Sequence, residues 1–554
     1  MARKNDRMAG MIVVFPDEKI EAAAREGDTL LDVIRQAGLS IEANCSGQGT
    51  CGKCMVRVNG EKALACMTAA EDGQRVEILR ADEDHVILTE SLTKSDFSAA
   101  REPVTTEPVT EEPGTAEPGT AEPVTAEPAN AGGEMGKRSR IAFAIDIGTT
   151  TVVIKAVDTI SGEEAGLRAF ANPQRVYGAD VLSRINNAMD DASLLSGVIT
   201  EAIDGAIGDI LKNEAAGAGP EKVVIAGNTT MIYLLLNRRC RSLGLVPFEP
   251  EYATDPVYEY REVFGKNTLG CPVLIYPYIS AFVGGDIVSG LVNIERHLEK
   301  GTEPSYMLID MGTNGELAFR CGGRLLTTST AAGPALEGGN ISCGMSGLPG
   351  AVYAVAYEGG GRFSCQTIGD RPVLGICGSG VISLMAALLD AGLVSETGAF
   401  TEEADSIAET GEAIPGNKQL VIAEPGGGHS GGERLVFTQK DVREVQLAKG
   451  AIRAGLDILT EEMGEKPGMI YLAGGFGQNI DLRSAFRTGL IPRGREGRIL
   501  VVGNTSLGGC VDACTEGTAT GPLPSLDIIA AAEEINLGAH GRFNDKFMET
   551  MMFD

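Results

Sequence analysis

The chain has 554 residues, of which 43% are hydrophobic and 22% charged; this composition is typical of folded globular proteins and excludes a fibrous or wholly disordered chain. At ~150 residues per domain, the length predicts several domains. Asp and Glu outnumber Lys and Arg by 76 to 47, and the formal net charge of −29 argues against nucleic-acid or membrane partners, whose phosphates it would repel. Without an apolar run of membrane-spanning length or an apolar segment behind the first basic residues, the chain is expected in the cytoplasm.

Residues 10–95 predict a small α+β domain. Segments 11–15 and 19–24 predict the two strands of a hairpin. Residues 28–38 predict a short helix that Asp28 caps and Gly38 ends. Two further strands are predicted at residues 54–58 and 75–79.

Four of the 12 cysteines fall in this domain with the spacing C-x5-C-x2-C-x11-C: Cys45, Cys51, Cys54 and Cys66. Disulfide scaffolds are smaller and richer in cysteine, so thiolates at this spacing predict a metal centre. Glycines between them let the backbone fold around an anionic cluster and direct N–H groups at its sulfurs, which favours iron and sulfide. A structural zinc site stays open, although zinc ribbons usually pair two short C-x2-C knuckles.

Residues 99–136 predict a disordered linker. A five-residue repeat, from EPVTT to EPANA, runs from Glu102 to Ala131. Each repeat contains a proline, no large apolar side chain and a glutamate that repels its neighbours, a composition typical of extended, solvated chain. About 30 such residues at ~3.1 Å each reach up to roughly 90 Å. This reach would let the N-terminal domain move over the rest of the chain, and a passive spacer is the alternative.

Residues 141–554 alternate strand and helix signals, which predicts an α/β domain. Strands are predicted at 141–145, 151–157 and 222–227, and a long helical stretch covers 179–212.

This domain also contains an internal repeat. The segment Ile145–Thr150 (IDIGTT) recurs as Ile309–Asn314 (IDMGTN), and each copy lies between two apolar strands. The repeat predicts two related lobes, at about 141–300 and 305–554.

Each repeat has the composition of a phosphate-binding turn. Glycine lets the backbone approach a phosphate, N–H groups and hydroxyls donate to its oxygens, and Asp holds Mg²⁺ or its water. Two turns that face each other across a cleft would hold the β- and γ-phosphates for transfer to water. A third glycine-rich element, Leu472–Gly477, follows an apolar strand and offers its main chain to a nucleoside. An aspartic protease, which also has two D-x-G elements, is disfavoured because those read D-T-G in an all-β chain.

The chain resembles known families in both parts. Residues 10–95 resemble the adrenodoxin-like branch of the β-grasp 2Fe-2S ferredoxins, from which only the short gap between Cys54 and Cys66 departs. Residues 141–554 resemble the actin, sugar-kinase and Hsp70-like ATPases, whose two lobes are ribonuclease H-like. Further segments, with both parts together, resemble the ATP-dependent reductive activators of corrinoid proteins: 227–231 (GNTTM), 284–286 (GGD), 328–338, 375–380 and 438–455.

This resemblance implies a function. The chain would carry out ATP-dependent, one-electron reduction of a corrinoid protein from Co(II) to Co(I) in a methyltransferase system. Implied with it are a 2Fe-2S cluster, ATP and Mg²⁺ as cofactors, a cellular low-potential electron donor, and a homodimer formed through the ATPase domain. A sugar or carboxylate kinase stays open, as does an electron-transfer module in which bound nucleotide acts as a switch without hydrolysis.

The resemblance also implies roles for individual residues. Asp146 and Asp310 would organise Mg²⁺ and the attacking water. The residues expected to contact the phosphates are Gly148, Thr149, Thr150, Gly312, Thr313 and Asn314, and those expected to pack on the nucleoside are Gly474 and Gly475. Ser329 and Glu337 would lie in a loop that faces the corrinoid partner. For each threonine a role in the turn alone is the alternative, and Cys510 and Cys514 would be either buried thiols or ligands of a second cluster.

Overall fold

The structure is a computed structural model. It describes residues 11–16, 20–25, 27–37, 39, 41, 54–78, 140–178, 180–252, 257–298, 303–312, 314–410, 418–424, 434–475, 480–494, 498–515, 523 and 525–553. The predictions for Gly38, Cys45, Cys51, the linker and Thr313 concern residues outside this set.

In the described residues of the N-terminal part, the structure has two small antiparallel sheets, one α-helix and a short 3-10 helix (Ala65–Met67). Its elements are β1 (Met11–Phe15), β2 (Ile20–Ala24), α1 (Leu30–Gln36), β3 (Met55–Val58), β4 (Glu61–Leu64) and β5 (Val76–Ile78). β1 pairs with β2, and β3 lies between β4 and β5. Apolar side chains from the helix and both sheets fill one core. The predicted hairpin, helix and two later strands are therefore confirmed.

The strand β4 is an addition to the prediction. Its sequence, EKAL, has no apolar alternation long enough to indicate a strand. The turn before it carries the signal instead: Asn59 (φ 51°) and Gly60 (φ 97°) both adopt positive φ, as a two-residue hairpin turn requires. Val58 and Glu61 pair across that turn.

Helix α1 is capped by Thr29, so the predicted Asp28 cap is wrong by one residue. The Asp32 carboxylate accepts hydrogen bonds from the Thr29 N–H at 2.9 Å and from its hydroxyl at 2.7 Å, and Thr29 Oγ1 accepts from the Asp32 N–H at 3.3 Å. This reciprocal pair satisfies donors of the first turn, which a lone aspartate one residue earlier does not.

Among the described residues, the β structure of the rest of the chain consists of two six-stranded sheets, one in each lobe, and two three-stranded sheets in an insertion. Lobe 1 contains β6 (Arg140–Ile147), β7 (Thr151–Asp158), β8 (Glu164–Ala171), β9 (Gly219–Gly227), β10 (Tyr258–Glu259) and β11 (Pro272–Ile275). Lobe 2 begins with β12 (Ser305–Met311), β13 (Gly315–Cys321) and β14 (Arg324–Thr330). An insertion follows, with β15 (Ala351–Gly359), β16 (Arg362–Thr367), β17 (Gly375–Ile376), β18 (Glu409–Thr410), β19 (Lys418–Ala423) and β20 (Leu435–Thr438). The lobe-2 sheet is completed by β21 (Met469–Ala473), β22 (Ile499–Gly503) and β23 (Ala532–Glu534).

The two sheets share one topology. The strand order is β11-β9-β6-β7-β8 in lobe 1 and β22-β21-β12-β13-β14 in lobe 2. In both sheets, the three strands that come first in the chain (β6–β8 and β12–β14) form an antiparallel meander. The two later strands of this order (β9 and β11 in lobe 1, β21 and β22 in lobe 2) run parallel to the first strand of the meander. The predicted duplication of an α/β lobe is confirmed by this match.

Helices cover both lobes. In chain order they are α2 (Val181–Asn187), α3 (Ser193–Asn213), α4 (Thr229–Leu235), α5 (Arg241–Gly244), α6 (Tyr260–Phe264), α7 (Gly285–His297), α8 (Gly378–Asp390), α9 (Glu402–Ile407), α10 (Gln439–Met463), α11 (Leu482–Arg487), α12 (Thr505–Thr515), α13 (Leu526–Ala531) and α14 (Phe543–Thr550). The predicted helical stretch 179–212 is two helices, because Asp191 accepts a hydrogen bond from the Ser193 N–H at 2.9 Å and starts α3 anew. Within the described residues no helix combines the length and apolarity that crossing a bilayer requires.

The lobes meet where α7 crosses α12. Each of these helices follows the last of the five strands that the two sheets share, β11 in lobe 1 and β22 in lobe 2, so the pair repeats the symmetry of the sheets. Gly509 lies so close to the Ser289 carbonyl that a Cβ atom would overlap it. The Ser289 hydroxyl donates to the Ser506 carbonyl at 2.7 Å, and the Tyr276 hydroxyl donates to the Gly509 carbonyl at 2.9 Å. Apolar residues of both lobes close a core around this crossing.

Candidate functional site

The turn of the first repeat lies between β6 and β7 and is held by its backbone. The Gly148 N–H donates to the Thr151 carbonyl at 2.9 Å, and a Cβ on Gly148 would lie 2.9 Å from that same oxygen. Asn172 supports the turn from outside: its amide donates to the Gly148 carbonyl and its N–H to the Thr150 carbonyl, both at 2.8 Å. Glycine is thus required at 148, and the turn is fixed in shape.

A buried arginine lies behind this turn. Arg184 is 0% exposed, and its guanidinium donates to the Thr149 carbonyl at 2.6 Å and to the Gly178 carbonyl at 2.7 Å. Burial lowers its pKa to about 10, with Asp180 opposing the shift, so the group remains protonated at neutral pH. It places a positive charge behind a turn that is predicted to contact phosphate.

Replacing Arg184 by Met is expected to lower the free energy of unfolding by about 2–4 kcal/mol, because two buried carbonyls lose their donors. Chemical unfolding of the full chain measures this. The charge-conserving variant Arg184→Lys should restore little of the loss, since an ammonium cannot reach two carbonyls with planar geometry. An Arg184→Met chain as stable as the wild type would contradict this role.

Two further segments singled out in the sequence meet at this turn. Asn228 donates from its side-chain amide to Thr149 Oγ1 at 3.1 Å, while its Oδ1 caps α4 by accepting from the Met231 N–H at 2.9 Å. A Cβ on Gly284 would overlap the Asn228 backbone. The hydroxyl of Thr149 is therefore held by Asn228, whereas Thr150 is exposed. Their predicted phosphate contacts remain a prediction.

The turn of the second repeat lies between β12 and β13. The Gly312 N–H donates to the Asn314 carbonyl at 3.0 Å. Asn314 is half-buried, and Thr313 lies outside the described residues. Glu337 approaches this turn, because a Cβ on Gly312 would lie 3.3 Å from Glu337 Oε1.

The expected loop containing Ser329 and Glu337 is wrong for Ser329. Ser329 lies in β14, where it pairs with Glu316 of β13. Glu337 ends a short 3-10 turn (Pro334–Glu337) and lies beside the turn of the second repeat. Glu337 therefore lies beside a turn that is predicted to border the cleft, and its role toward a corrinoid partner remains a prediction.

At the predicted cleft, five carboxylates lie close enough together to interact electrostatically: Asp146, Asp286, Asp310, Glu316 and Glu337. Burial, together with the neighbouring Asp146 and Glu337, raises the pKa of Asp310 to about 7. Burial and the charge of Asp310 raise the pKa of Asp286 to about 7 as well, and burial and the neighbouring carboxylates raise the pKa of Glu316. Carboxylates that repel one another in this way favour a bound cation.

Lobe 2 supplies hydrogen-bond donors to Asp146 of lobe 1. Asn504 donates to Asp146 Oδ2 at 2.8 Å, and the Ser506 hydroxyl donates to Oδ1 at 2.7 Å. Burial raises the pKa of Asp146, while these two hydrogen bonds oppose the shift.

Mg²⁺ is compatible with this donor set. Among the described residues, no three His, Cys, Asp or Glu side chains converge to hold a metal ion without other ligands. Magnesium in phosphoryl-transfer sites is usually bound by one or two carboxylates together with substrate phosphates and water. The cleft thus has the acidic groups that a magnesium–nucleotide complex needs and lacks a complete cage for a free ion in its described part.

The structure brings the third glycine-rich element to the same cleft. Gly474 (φ 83°) follows β21, and a Cβ there would lie 2.5 Å from Asp310 Oδ1. Gly475 beside it is exposed. The contact of Gly474 is therefore with a predicted catalytic carboxylate, and packing of either glycine on a nucleoside remains a prediction.

Two of the four predicted cluster ligands lie in the described residues. Cys54 is 1% exposed and Cys66 7% exposed, and their Sγ atoms are 3.2 Å apart. The Ala65 N–H donates to the Cys54 carbonyl at 2.8 Å and joins the two segments. Two adjacent buried thiols fit ligation of one iron atom by this pair.

Cys510 and Cys514 behave as buried thiols. Both lie inside α12, and the Cys510 thiol donates to the Ile145 carbonyl at 3.6 Å. Burial raises the pKa of both, which disfavours the thiolate that metal binding needs.

Sequence reasoning missed the residues that hold the site together. Arg184, Asn172 and Glu316 carry no motif of their own. Asn504 and Ser506 do, because residues 503–506 (GNTS) repeat the pattern of residues 227–230 (GNTT). Each segment follows a strand, starts a helix, and directs an asparagine amide at the first phosphate turn or its aspartate.

Comparisons with known proteins agree in both parts of the chain. Residues 141–299 match the model of the RACo middle region, and residues 305–554 match that of the C-terminal domain of RACo, described as the ASKHA domain. Residues 14–77 match the 2Fe-2S iron-sulfur cluster binding domain.

Relatives are similar over half to nearly all of their length. The chain is 28% identical over 540 residues to the corrinoid activation enzyme RamQ of Eubacterium limosum, covering 87% of this chain and 89% of that protein. It is 30% identical over 322 residues to the Co(II) methylated amine-specific corrinoid protein reductase of Methanosarcina barkeri, covering 52% and 54% of the two chains. The solved structure of a reductive activator for corrinoid, iron-sulfur protein superposes with a TM-score of 0.66 at 25% identity and 98% coverage of both chains.

Proposed function

Because residues 141–299 and 305–554 place this chain in the RACo family, we propose that it reductively activates a corrinoid protein, converting Co(II) to Co(I) with the use of ATP. The observation that carries this proposal is the union, in one chain, of a 2Fe-2S domain with a two-lobed cleft lined by phosphate turns and carboxylates. A kinase needs no electron carrier, and an electron carrier needs no such cleft.

ATP has a physical reason to be present. For a one-electron couple, each ~59 mV of unfavourable potential costs a factor of ten in equilibrium. Ferredoxin-type centres lie near about −400 mV, so a much more reducing cobalt couple needs an additional source of free energy. Binding or hydrolysis of ATP between the lobes supplies it by changing the complex with the corrinoid protein.

The cleft residues would have different roles toward the bound nucleotide. The turns at Gly148–Thr150 and Gly312–Asn314 contact the phosphates through backbone N–H groups and side chains. Asp146 and Asp310 organise the cation and the attacking water, and Gly474 and Gly475 line the nucleoside side. When bound with the nucleotide, Mg²⁺ supplies neutralising charge to the phosphates.

The four N-terminal cysteines hold the electron donor. Cys45, Cys51, Cys54 and Cys66 would ligate a 2Fe-2S cluster, and when bound this cluster supplies one electron at a time. A cellular low-potential donor reloads it. Two copies of the chain would pair through the ATPase part, which light scattering of the purified protein tests.

Anaerobic mixing of the reduced protein, ATP and a Co(II) corrinoid protein tests the function. We expect the Co(I) absorption band to form only when ATP is present, and phosphate release to rise with the corrinoid protein. Phosphorylation of a small alcohol or acid would favour a kinase instead. Co(I) formation without phosphate release would favour a switch that does not hydrolyse its nucleotide.

Replacing Cys54 by Ser is expected to abolish the visible spectrum of the cluster and the formation of Co(I). Phosphate release without the corrinoid protein should stay within about twofold of wild type, because the ATPase part has its own cores. Cys240→Ser, at a buried cysteine of lobe 1, is the matched control and should keep the spectrum. An unchanged spectrum in the Cys54 variant would remove it from the ligand set.

A further inference from the structure

We propose that Asn504 and Ser506 of lobe 2 are positioning residues that fix the carboxylate of Asp146 in lobe 1. The inference rests on the proposed ATP-dependent function and names two further residues of its machinery. Within the described part of the chain, their side chains donate hydrogen bonds to Asp146 and to no residue of either repeat turn, so they would act through Asp146.

The geometry holds both carboxylate oxygens separately. Asn504 Nδ2 lies 2.8 Å from Asp146 Oδ2, and Ser506 Oγ lies 2.7 Å from Oδ1. Asn504 is oriented by a second contact, because its Oδ1 accepts from the Leu507 N–H at 2.8 Å at the start of α12. One side-chain oxygen thus caps the helix, so the amide nitrogen must face Asp146.

At the corresponding position beside Asp310, the start of α7 has no equivalent of Asn504 and Ser506. Packing of the lobes therefore does not by itself require these donors. There, Asp310 interacts electrostatically with Asp286 at the start of α7, where the corresponding loop reads Gly284-Gly285-Asp286. Gly284 has no side chain, and Asp286 brings a second negative charge; after burial, the charge of Asp310 is what raises the pKa of Asp286. The two pseudo-symmetric positions therefore carry opposite chemistry: donors at Asp146, and a like charge at Asp310.

The bonds lie beside the close contact between α7 and α12. Ser506 is tied through its carbonyl to Ser289 of α7, and α12 packs on β6, the strand that contains Asp146 near its end. Gly509 forms the close contact of the α7–α12 crossing about one turn further along. A rotation of the lobes about this contact would displace distant parts more than these atoms, and the bonds to Asp146 would then be retained.

This placement predicts a specific kinetic effect. A carboxylate held by two donors keeps its orientation and its charge, and both matter for the water or cation that it faces during the reaction. Loss of the donors should lower kcat, while the affinity for the nucleotide, set by the phosphate turns, changes little.

The experiment uses the full chain with its cluster and measures phosphate release with a Co(II) corrinoid protein. Ser506→Ala removes one donor, and Asn504→Ser removes the other while keeping a residue that caps α12. We expect the double variant to lose about 10–100-fold in kcat, with KM for MgATP within about threefold of wild type. Ser506→Thr keeps a hydroxyl and should restore most of the activity.

Two controls isolate the route through Asp146. Ser484→Ala removes a hydroxyl that donates to the Asp481 carboxylate at 2.5 Å in α11, and it should leave kcat unchanged. In an Asp146→Asn background, the double change should lower kcat no further.

Three outcomes would overturn the inference: kcat of the double variant within about twofold of wild type, a rise in KM at unchanged kcat, or a full additional loss in the Asp146→Asn background. A wild-type chain that turns over no ATP overturns the proposed function and this inference together. The two failures are therefore distinguishable.

Discussion

Asp310→Asn is expected to lower ATP turnover about a thousandfold. The substitution keeps the size of the side chain and removes the charge that is proposed to organise the cation and the attacking water. Phosphate release measures the loss. The visible spectrum of the cluster should survive, because its cysteines belong to a domain with a separate core.

The same substitution should stabilise the nucleotide-free protein, and the gain should depend on pH. The raised pKa of Asp310, about 7, means that the folded state holds a proton that the unfolded state releases near its ordinary pKa of ~3.9. Stability is therefore lost as pH rises from about 4 to about 7. We expect Asp310→Asn to gain on the order of 1–2 kcal/mol in free energy of unfolding at about pH 8, and less at about pH 5.

A matched control separates this effect from a general effect of charge. Asp390→Asn removes a carboxylate of lobe 2 that pairs with Arg487 at 2.5 Å and is 68% exposed. Exposed pairs contribute about 0–1 kcal/mol, so this variant should lose slightly in stability and nothing in turnover. An Asp310→Asn chain that is less stable than wild type at about pH 8 would contradict the repulsion argued for the cleft. A lost cluster spectrum would show that the two domains are not separable.

The fold was largely predictable because its signals are local and repeated. The two D-x-G-T turns lie between apolar strands, and apolar strands flanking a glycine turn specify a hairpin without reference to the rest of the chain. The break between α2 and α3 was harder to predict, because the apolar pattern of a helix continues through it. The hydrogen bond from the Ser193 N–H to the Asp191 carboxylate interrupts the helix there. Strand β4 shows the reverse case, in which the Asn59–Gly60 turn indicates a strand that its own composition does not.

The sequence could indicate candidate site residues only where those residues are adjacent to one another in a single turn. Asp146 and Asp310 could be singled out because glycine and threonine accompany them in sequence, and their catalytic roles stay a prediction. Glu316 was missed, since its position in the second repeat is occupied in the first by Val152. Arg184 acts on backbone carbonyls that lie 6 and 35 positions away, and a sequence pattern does not record such a contact. The role of Ser506 depends on bringing together residues 360 positions apart.

Gly509→Ala is expected to lower the free energy of unfolding of the two-lobed part by more than about 3 kcal/mol, or to prevent the lobes from packing. Its Cβ would overlap both the carbonyl and the hydroxyl of Ser289. Backbone cannot move aside as a flexible side chain does, so α7 and α12 must separate. ATP turnover should fall with stability, because the displaced helix also carries a donor to Asp146.

Gly205→Ala gives the opposite expectation from the same chemical change. Gly205 lies in the exposed face of α3, and a Cβ there meets nothing within 4 Å. Alanine in an exposed helix interior stabilises by about 0.5–1 kcal/mol, because the unfolded chain loses freedom and the helix loses none. Thermal unfolding of both variants beside the wild type measures the pair. If both substitutions shifted stability in the same direction and by similar amounts, intrinsic helix propensity would decide the result, and the close contact between α7 and α12 would not be what joins the lobes.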